Sequence, residues 1–174
     1  MNFQQIDASK AAELSLLAKA IYVEHYLHLW HPGGAEWYMD EYAYPEAKLQ
    51  AELADPNNLH YIVYDDKGLP KGYLKLKMQS VCHVCENKTG LEIERIYLHK
   101  SFAGKGIGKQ LMELSEAVAR QHNQQLVFLK AMDTSLDAIR FYKKMGYTEC
   151  GRLVLPFDNM KEMYRGMVIL CKQL

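Results

Sequence analysis

The sequence lacks an excess of charge of either sign, since 21 lysines and arginines balance 21 aspartates and glutamates among 174 residues. Proteins that bind nucleic acids through the phosphates usually carry a basic excess, so we expect no nucleic acid partner. No apolar run approaches the ~20 residues that a membrane span requires. The first residues also lack the basic and then apolar pattern of a secretory signal. We therefore expect a cytoplasmic protein without a membrane partner.

Cysteine is scarce, with four residues at Cys82, Cys85, Cys150 and Cys171. This is too few for a disulfide scaffold, and a cytoplasmic setting keeps thiols reduced. Cys82 and Cys85 form a single C-x-x-C pair, but zinc requires two further ligands and none lies nearby in the sequence. A redox motif would require a thioredoxin-like βαβ frame, which the pattern does not show. We therefore expect no metal and no redox site, and we place the C-x-x-C pair in a hairpin loop.

The pattern of apolar residues predicts a single domain, residues 1–174, in which strands and helices alternate. Runs that are β-rich or alternate in polarity predict strands at Phe3–Ile6, His60–Tyr64, Gly72–Met78, Leu91–Leu98, Leu126–Ala131, Tyr147–Val154 and Tyr164–Leu170. Apolar residues near the 3.6-residue period predict helices at Ala8–Leu29, Ala35–Leu53, Gly106–Gln121 and Ser135–Met145. Residues 82–90 form a predicted polar loop. This order predicts a mixed sheet flanked by helices, in an α/β or α+β domain.

A glycine-rich stretch, residues 101–112, links a predicted strand to a predicted helix. A P-loop would need glycine at Ala103 and a hydroxyl residue at Gln110, so that motif fails at both ends. The glycines at 104, 106 and 108 give G-x-G-x-G, which is not the spacing of a dinucleotide fingerprint. The stretch therefore matches neither of these two phosphate-binding motifs.

The same stretch suits a pyrophosphate bound by backbone amides alone. N–H groups at the start of a helix are unpaired and lie at the positive end of the helix dipole. Glycines without Cβ atoms let an anion approach closely. The residues that would form this site are Gly104, Lys105, Gly106, Ile107, Gly108 and Lys109. The alternative is a tight turn that merely needs glycine, which leaves the flanking lysines without a role.

Two motifs resemble the GNAT superfamily of N-acetyltransferases. The run E-R-I-Y-L-H-K-S-F-A-G-K-G-I-G-K at 94–109 is similar to the family's motif A, and A-I-R-F-Y-K-K-M-G-Y at 138–147 is similar to motif B. The helix and strand between them also fit. The resemblance implies an α/β fold with a mixed, mostly antiparallel sheet of about six to seven strands, splayed near Leu98 and flanked by four helices. It also implies acetyl-CoA as co-substrate, and the motifs most resemble those of PaiA-like polyamine acetyltransferases.

Two positions depart from the family pattern. Ala103 stands where the family usually has Gln or Arg beside the pyrophosphate. Ser135 stands where many members have an Asn that binds the pantetheine arm. Serine is shorter, so we expect it to reach the arm through water. The resemblance therefore implies weaker cofactor binding rather than none.

The resemblance also assigns roles in acetyl transfer. The edge of the strand at Ile96, Tyr97 and Leu98 would pair with the pantetheine arm. The N–H group of Ile96 or Leu98 would polarise the thioester carbonyl. Tyr142 would act as the general acid that protonates the departing thiolate, a reasonable donor because a tyrosine pKa is ~10. The alternative for Tyr142 is a core aromatic role.

Glu92 and Glu94 lie two apart on one predicted strand, so we expect them on the same face of the sheet. Two neighbouring carboxylates raise each other's pKa, which makes one of them a candidate base for the amine. We expect Glu94 to serve slightly ahead of Glu92, directly or through water. The alternative is a solvated strand face with Arg95 on the other side.

The expected reaction is direct transfer of acetyl from acetyl-CoA to a small-molecule primary amine in a ternary complex, with polyamines as the favoured class. In the family the segment between the first two helices shapes the acceptor site, where aromatic side chains suit a cation. The residues of that segment are Trp30, Trp37, Tyr38, Glu24, Glu36, Asp40 and Glu41. The alternatives are a protein or peptide N-acetyltransferase and a catalytically weak acetyl-CoA sensor. Because family members are commonly dimeric, the resemblance also allows a homodimer.

Overall fold

The computed structural model describes all 174 residues. One seven-stranded sheet has the spatial order β1-β2-β3-β4-β5-β7-β6. Its strands are β1 (Asn2–Ile6), β2 (Asn58–Tyr64), β3 (Pro70–Cys82), β4 (Lys88–Leu98), β5 (Leu126–Met132), β6 (Thr148–Val154) and β7 (Gly166–Gln173). Only β4 and β5 are parallel, and all other neighbours are antiparallel. The predicted α/β fold with a mixed, mostly antiparallel sheet is confirmed.

Helices cover both faces of the sheet. They are α1 (Ala11–Tyr26), α2 (Gly34–Trp37), α3 (Glu46–Ala54), α4 (Ile107–Gln121) and α5 (Leu136–Lys144). On one face, buried residues such as Leu111 of α4 and Ile139 of α5 share a core with Ile93 and Leu129. On the opposite face, Leu14 and the rest of the apolar side of α1 join a second core with α3. None of the helices is long and apolar enough to span a membrane.

Several predicted boundaries were wrong. The helix expected at Ala35–Leu53 is split at Pro45, because proline lacks an N–H group and disfavours helical backbone in the residue before it. Before the break, α2 continues into a π-helical turn, Tyr38–Ala43. After it, α3 begins as a separate helix at Glu46. The structure thus has five helices rather than four. The loop expected at 82–90 is shorter, since β3 extends to Cys82 and β4 begins at Lys88. The last strand begins at Gly166 rather than at Tyr164, because a 3₁₀ turn occupies Glu162–Tyr164.

The parallel strands β4 and β5 separate in the middle of the sheet. Their pairing runs only from Leu91 opposite Val127 to Ile93 opposite Leu129. A β-bulge follows, because Ile93 and Arg95 lie opposite consecutive residues of β3 and leave Glu94 as an extra residue. A bulge bends its strand, so β4 turns away from β5 directly after Ile93. The gap thus opens earlier than the Leu98 position implied by the resemblance.

Candidate active site

The turn between β4 and α4 presents a row of unpaired backbone N–H groups. Gly104 and Gly106 have φ values of 74° and 76°, a conformation that glycine adopts without strain. Helix α4 starts at Ile107, so the N–H groups of its first turn have no partner within the helix. The amides of residues 104–109 donate none of the backbone hydrogen bonds of the turns and loops. Together they form a concave, partly positive surface suited to an anion.

The rest of this turn leaves room for a ligand. A Cβ atom at Gly108 would meet Phe141 Cζ at 3.6 Å, an ordinary contact distance. Packing inside the protein therefore does not require glycine at Gly108, whereas a close ligand would. Lys105 Nζ lies 4.5 Å from the centre of the Phe102 ring, and Lys109 is exposed. Both ammonium groups can approach an anion at the turn.

The unpaired edge of β4 continues from this turn into the gap beside β5. His99 donates its N–H to Lys71 O of β3 at 2.9 Å. N–H groups alternate between the two edges of a strand, so those of Ile96 and Leu98 point away from β3, toward the gap. These are the two amides that the resemblance implicates in binding the thioester. The Leu98 carbonyl on that edge is already engaged by His25 Nε2 at 3.0 Å.

A first cavity of about 110 Å³ fills the gap between β4 and β5. It is lined by Tyr26, Ile93, Glu94, Ile96, Tyr97, Leu129, Lys130, Ala131, Met132, Ser135, Ala138, Tyr142 and Met167. The structure thus brings together Ile96 and Tyr97 of the predicted strand edge, Ser135 and Tyr142 of α5, and Glu94, whereas Leu98 does not line the cavity. Glu92 lies outside this cavity.

Tyr142 and Ser135 both approach this cavity from α5. Burial raises the pKa of Tyr142 to about 12, so the phenol holds its proton throughout the physiological range. It is also a weaker acid than the sequence led us to expect, because the predicted value took no account of burial. Ser135 is the N-cap residue of α5, but its side chain makes no capping hydrogen bond. Its hydroxyl is therefore available to a ligand.

A second cavity of about 290 Å³ adjoins the first on the α1 side of the sheet. Its walls are Tyr22, Tyr26, Leu29, Trp30, Tyr38, Tyr42, Glu92, Glu94, Arg95, Tyr97, Lys130, Met132, Leu155, Phe157, Met160 and Met167. Six of these residues also line the first cavity: Tyr26, Glu94, Tyr97, Lys130, Met132 and Met167. The two cavities therefore meet at Glu94, with aromatic rings around the larger one.

Glu94 lies in the bulge of β4 between two cations. Its Oε1 is 2.8 Å from Lys75 Nζ and 3.8 Å from Arg95. Burial raises the pKa of Glu94, but Lys75 and Arg95 outweigh that effect and hold it below its ordinary value. The expectation that Glu92 raises the pKa of Glu94 was therefore wrong, because the nearest charges are positive. Glu94 is a carboxylate at neutral pH.

Glu92 is buried on the same side of the sheet and is fully engaged. It accepts a hydrogen bond from Ser80 Oγ at 2.7 Å and pairs with Lys130 Nζ at 2.7 Å. Both glutamates line the second cavity, as expected for one face of the sheet. Arg95 lines it too, so its expected place on the other face was wrong; the bulge at Glu94 reverses the alternation of side chains after it.

The acidic residues expected at the acceptor entrance do not line either cavity. Glu24 accepts hydrogen bonds from His99 and from the Lys100 N–H group, which tie α1 to the end of β4. Asp40 pairs with Lys19 at 2.7 Å, and Glu36 and Glu41 are exposed. Of the three predicted aromatic residues, Trp30 and Tyr38 line the second cavity and Trp37 does not. The negative charges of the cavity are therefore those of β4.

The structure adds residues that the sequence analysis missed. Lys130 contributes a cation to both cavities, and its sequence signal was a single charge inside the apolar strand Leu126–Met132. The loop between β6 and β7 closes the second cavity through Phe157 and Met160. That loop is tied to the 3₁₀ turn after α1, Leu27–Leu29, by Lys161 N–H, which donates to Leu29 O at 2.9 Å. No local pattern marks such long-range contacts.

Comparison with known proteins agrees with this geometry. The profile of the Acetyltransferase (GNAT) family matches residues 23–147. The chain therefore belongs to the GNAT acetyltransferase family, and it is an acetyl-CoA-dependent N-acetyltransferase. An uncharacterized N-acetyltransferase from Lactobacillus delbrueckii subsp. lactis is 39% identical over 117 residues, 67% of each chain.

Other relatives differ in their described substrates. A probable spermine N(1)-acetyltransferase of Bacillus subtilis subsp. natto is 29% identical over 46% of this chain and 53% of its own length. An aminoalkylphosphonate N-acetyltransferase of Salmonella typhimurium is 35% identical over 57% of this chain and 62% of its own. The PaiA N-acetyltransferase of Thermoplasma acidophilum, solved with coenzyme A, covers both chains fully with a TM-score of 0.74 at 19% identity. This last likeness concerns the fold.

Proposed function

We propose that this enzyme transfers an acetyl group from acetyl-CoA to the primary amine of a small molecule, and that polyamines are its favoured acceptors. The observation that carries the proposal is the meeting of the two cavities at Glu94. The first cavity is lined by Ile96 of the unpaired edge of β4 and by Ser135 and Tyr142 of α5, and the second is lined by aromatic rings and carboxylates. Donor and acceptor would thus meet in one ternary complex.

On the donor side, the amides of residues 104–109 would bind the pyrophosphate of the cofactor. The pantetheine arm would lie along β4, where the N–H groups of Ile96 and Leu98 point into the gap. One of these N–H groups would donate to the thioester carbonyl and stabilise the oxyanion that forms on attack. Ser135 would reach the arm from α5 through its free hydroxyl.

On the acceptor side, the substrate ammonium has an ordinary pKa of ~10.4 and must lose a proton before it attacks. Glu94, or a water bound to it, would accept that proton. The neutral amine then attacks the thioester carbon, the C–S bond breaks, and the thiolate leaves. Tyr142 would supply the proton that converts the thiolate to a thiol. Its raised pKa keeps the phenol protonated until the thiolate charge develops beside it.

The lining of the second cavity favours a cationic acceptor. The rings of Tyr26, Trp30 and Tyr38 can stabilise an ammonium group. Glu94 adds a carboxylate that an incoming ammonium can share with Lys75 and Arg95, whereas the charge of Glu92 is already paired with Lys130. The relative described as a probable spermine acetyltransferase supports the same class.

A second acceptor class is a small amine that also carries an acidic group. Arg95 and Lys130 line the same cavity and offer two cations to such a group. The relative described as an aminoalkylphosphonate acetyltransferase is consistent with this class. Lys130 is already paired with Glu92 at 2.7 Å, and Arg95 lies 3.8 Å from Glu94. Because both cations already have a carboxylate partner, we rank this class second.

A panel of amines, with release of free thiol from acetyl-CoA as readout, tests the proposal. The panel should hold polyamines, aminoalkylphosphonates, amino acids and peptides with free N-termini or lysines. Highest kcat/KM on polyamines supports the proposal, and highest kcat/KM on the acidic amines supports the second class. Preference for peptides would replace both. Binding of acetyl-CoA without transfer to any amine would instead favour a sensor of the cofactor.

A further inference from the structure

All four cysteines of the chain come together at the end of the sheet away from the glycine-rich turn. The Sγ atoms of Cys82, Cys85 and Cys150 lie within 4.8 Å of one another. Cys85 and Cys150 are 65 residues apart in sequence, yet their Sγ atoms are 2.9 Å apart. Cys171 does not lie that close to all three, but it packs against the same small buried cluster as Cys85 and Cys150. The two ligands that the C-x-x-C pair lacked in sequence are therefore supplied in space.

Several backbone features bring the thiols together. Cys150 is the extra residue of a β-bulge, since Glu149 and Gly151 lie opposite consecutive residues of β7. The tip of the β3–β4 hairpin docks directly beside it, because a Cβ atom at Gly151 would come within 2.6 Å of Val84. Glycine at position 151 is thus what allows the C-x-x-C turn to reach β6.

The docked turn covers a part of the sheet that has little core of its own. The hairpin tip crosses β5 and β7 to reach β6, and the buried cluster beneath it has only four members: Cys82, Leu126, Phe128 and Ile169. Such a small apolar cluster stabilises a docked loop weakly. The turn also contains two consecutive non-glycine residues in left-handed conformations, Glu86 and Asn87, each with φ of 57°. A bond across the cysteines would therefore add to the stability of the docked turn.

We propose that Cys82, Cys85, Cys150 and Cys171 bind one structural zinc ion that fastens the β3–β4 hairpin to β6 and β7. Tetrahedral zinc with Zn–S bonds of ~2.3 Å places its sulfurs roughly 3.8 Å apart, so three thiols already within 4.8 Å need only small side-chain adjustments. Cys171 would complete a closed set of four ligands. Each thiol releases its proton to solvent as it binds the ion.

The site is separate from the acetyl-transfer chemistry. No cysteine lines either cavity. Ser80, which donates to Glu92 at 2.7 Å, lies two residues before Cys82 on β3. An ion at the cysteines would thus brace the strand that positions Glu92, without touching substrate or cofactor.

Metal analysis of the full chain, purified with reduced thiols and desalted, tests the site independently of activity. We expect one zinc ion per chain by mass spectrometry of the metal. Replacement by cobalt should give the intense sulfur-to-cobalt charge-transfer and ligand-field bands of a tetrahedral thiolate site. Cys85→Ser and Cys150→Ser should lose the ion, whereas the exposed-histidine control His122→Ala should keep it. Cys171→Ser should weaken the charge-transfer band.

Several results would contradict the proposed zinc site. A reduced wild-type chain that binds no zinc or cobalt overturns the site, as does isolation of Cys85 and Cys150 as a disulfide under reducing conditions. An unchanged cobalt spectrum in Cys171→Ser overturns the set of four thiolates. Should the serine variants fail to fold, the wild type alone decides, because a chelator must lower its melting temperature and added zinc must restore it. No change in melting temperature on complete removal of the metal contradicts a structural role.

Discussion

Lys75 Nζ lies 2.8 Å from a carboxylate oxygen of Glu94 and 2.8 Å from one of Glu52. The lysine is buried, and it links α3 to the bulge of β4. The candidate base is therefore not a free carboxylate: its position and its charge both depend on a lysine from the neighbouring strand. This arrangement keeps Glu94 ionised, and it leaves removal of the amine proton to a weak base acting at close range or through water.

Replacement of Lys75 by Met should raise the pKa of Glu94, because the first cation beside it is lost while burial remains. The acidic limb of kcat/KM against pH should then move to higher pH. In the wild type the lowered pKa of Glu94 contributes stability above the ordinary carboxyl pKa and loses it as pH falls through the lowered value. The variant should be less stable by roughly 3 kcal/mol at neutral pH, and the difference should shrink in acid.

Urea unfolding at several pH values measures that difference in stability. Lys67→Met, an exposed lysine in the turn before β3, makes the same change of charge and serves as the control. An acidic limb that does not move in Lys75→Met would show that Glu94 is not the titrating base.

Glu94→Gln should lower kcat by about 10²-fold, as expected when a general base is removed, and should abolish the acidic limb of the pH profile. Glu92→Gln should lower kcat less and lower the melting temperature more, because Glu92 is buried against Ser80 and Lys130. Steady-state kinetics across pH and thermal unfolding of the two variants separate these effects. The reverse order of kcat losses would assign the base to Glu92.

Gly106→Ala should raise the KM for acetyl-CoA by about tenfold or more, since φ of 76° strains alanine and distorts the amides that we propose bind the pyrophosphate. The strain should also cost about 1 kcal/mol of stability. Gly68 has φ of 75°, and neither glycine has an atom within 4 Å of an added Cβ. Gly68→Ala is thus a matched control with the same loss of stability and an unchanged KM. Equal KM values in the two variants would argue against the turn as the cofactor site.

Tyr142→Phe should lower kcat by about 10²-fold while the Kd for acetyl-CoA stays within a few-fold of wild type, because the proposed role of the phenol is to protonate the thiolate as it leaves. Calorimetry and turnover on the same preparation give both values. Tyr147→Phe removes a hydroxyl from a neighbouring ring that lines neither cavity, and its kcat should not change. Full activity in Tyr142→Phe would leave protonation of the thiolate to water.

The sequence predicted best what its motifs encode locally. Three features depend only on neighbours in the chain, and each lies within a residue or two of its predicted place. They are the glycine-rich turn, the start of α4, and the aromatic residues Phe141 and Tyr142 of α5. The bulge at Glu94 was missed, because it is defined by the register of β4 against β3. The position of Arg95, the lowered pKa of Glu94 and the early opening of the gap all depend on this bulge, so the sequence did not predict them either.

The cysteines are a clearer example of contacts that the sequence does not predict. A C-x-x-C pair with no nearby partners gave no reason to expect a ligand site. Cys150 and Cys171 lie near the C-x-x-C pair only because β6 and β7 join the sheet and a bulge turns Cys150 toward the hairpin. The prediction of an acidic acceptor entrance was wrong for a related reason. Glu24 and Asp40 connect α1 to its neighbours, and sequence spacing does not reveal such a role.

We infer that coenzyme A is held by the unpaired amides of residues 104–109 and by those of Ile96 and Leu98. Titration of ¹⁵N-labelled protein with acetyl-CoA, followed by amide chemical shifts, tests it directly. The largest shifts should fall on those amides and should saturate together with the heat of binding. Saturable binding with the shifts located elsewhere, or no binding at all, would contradict it.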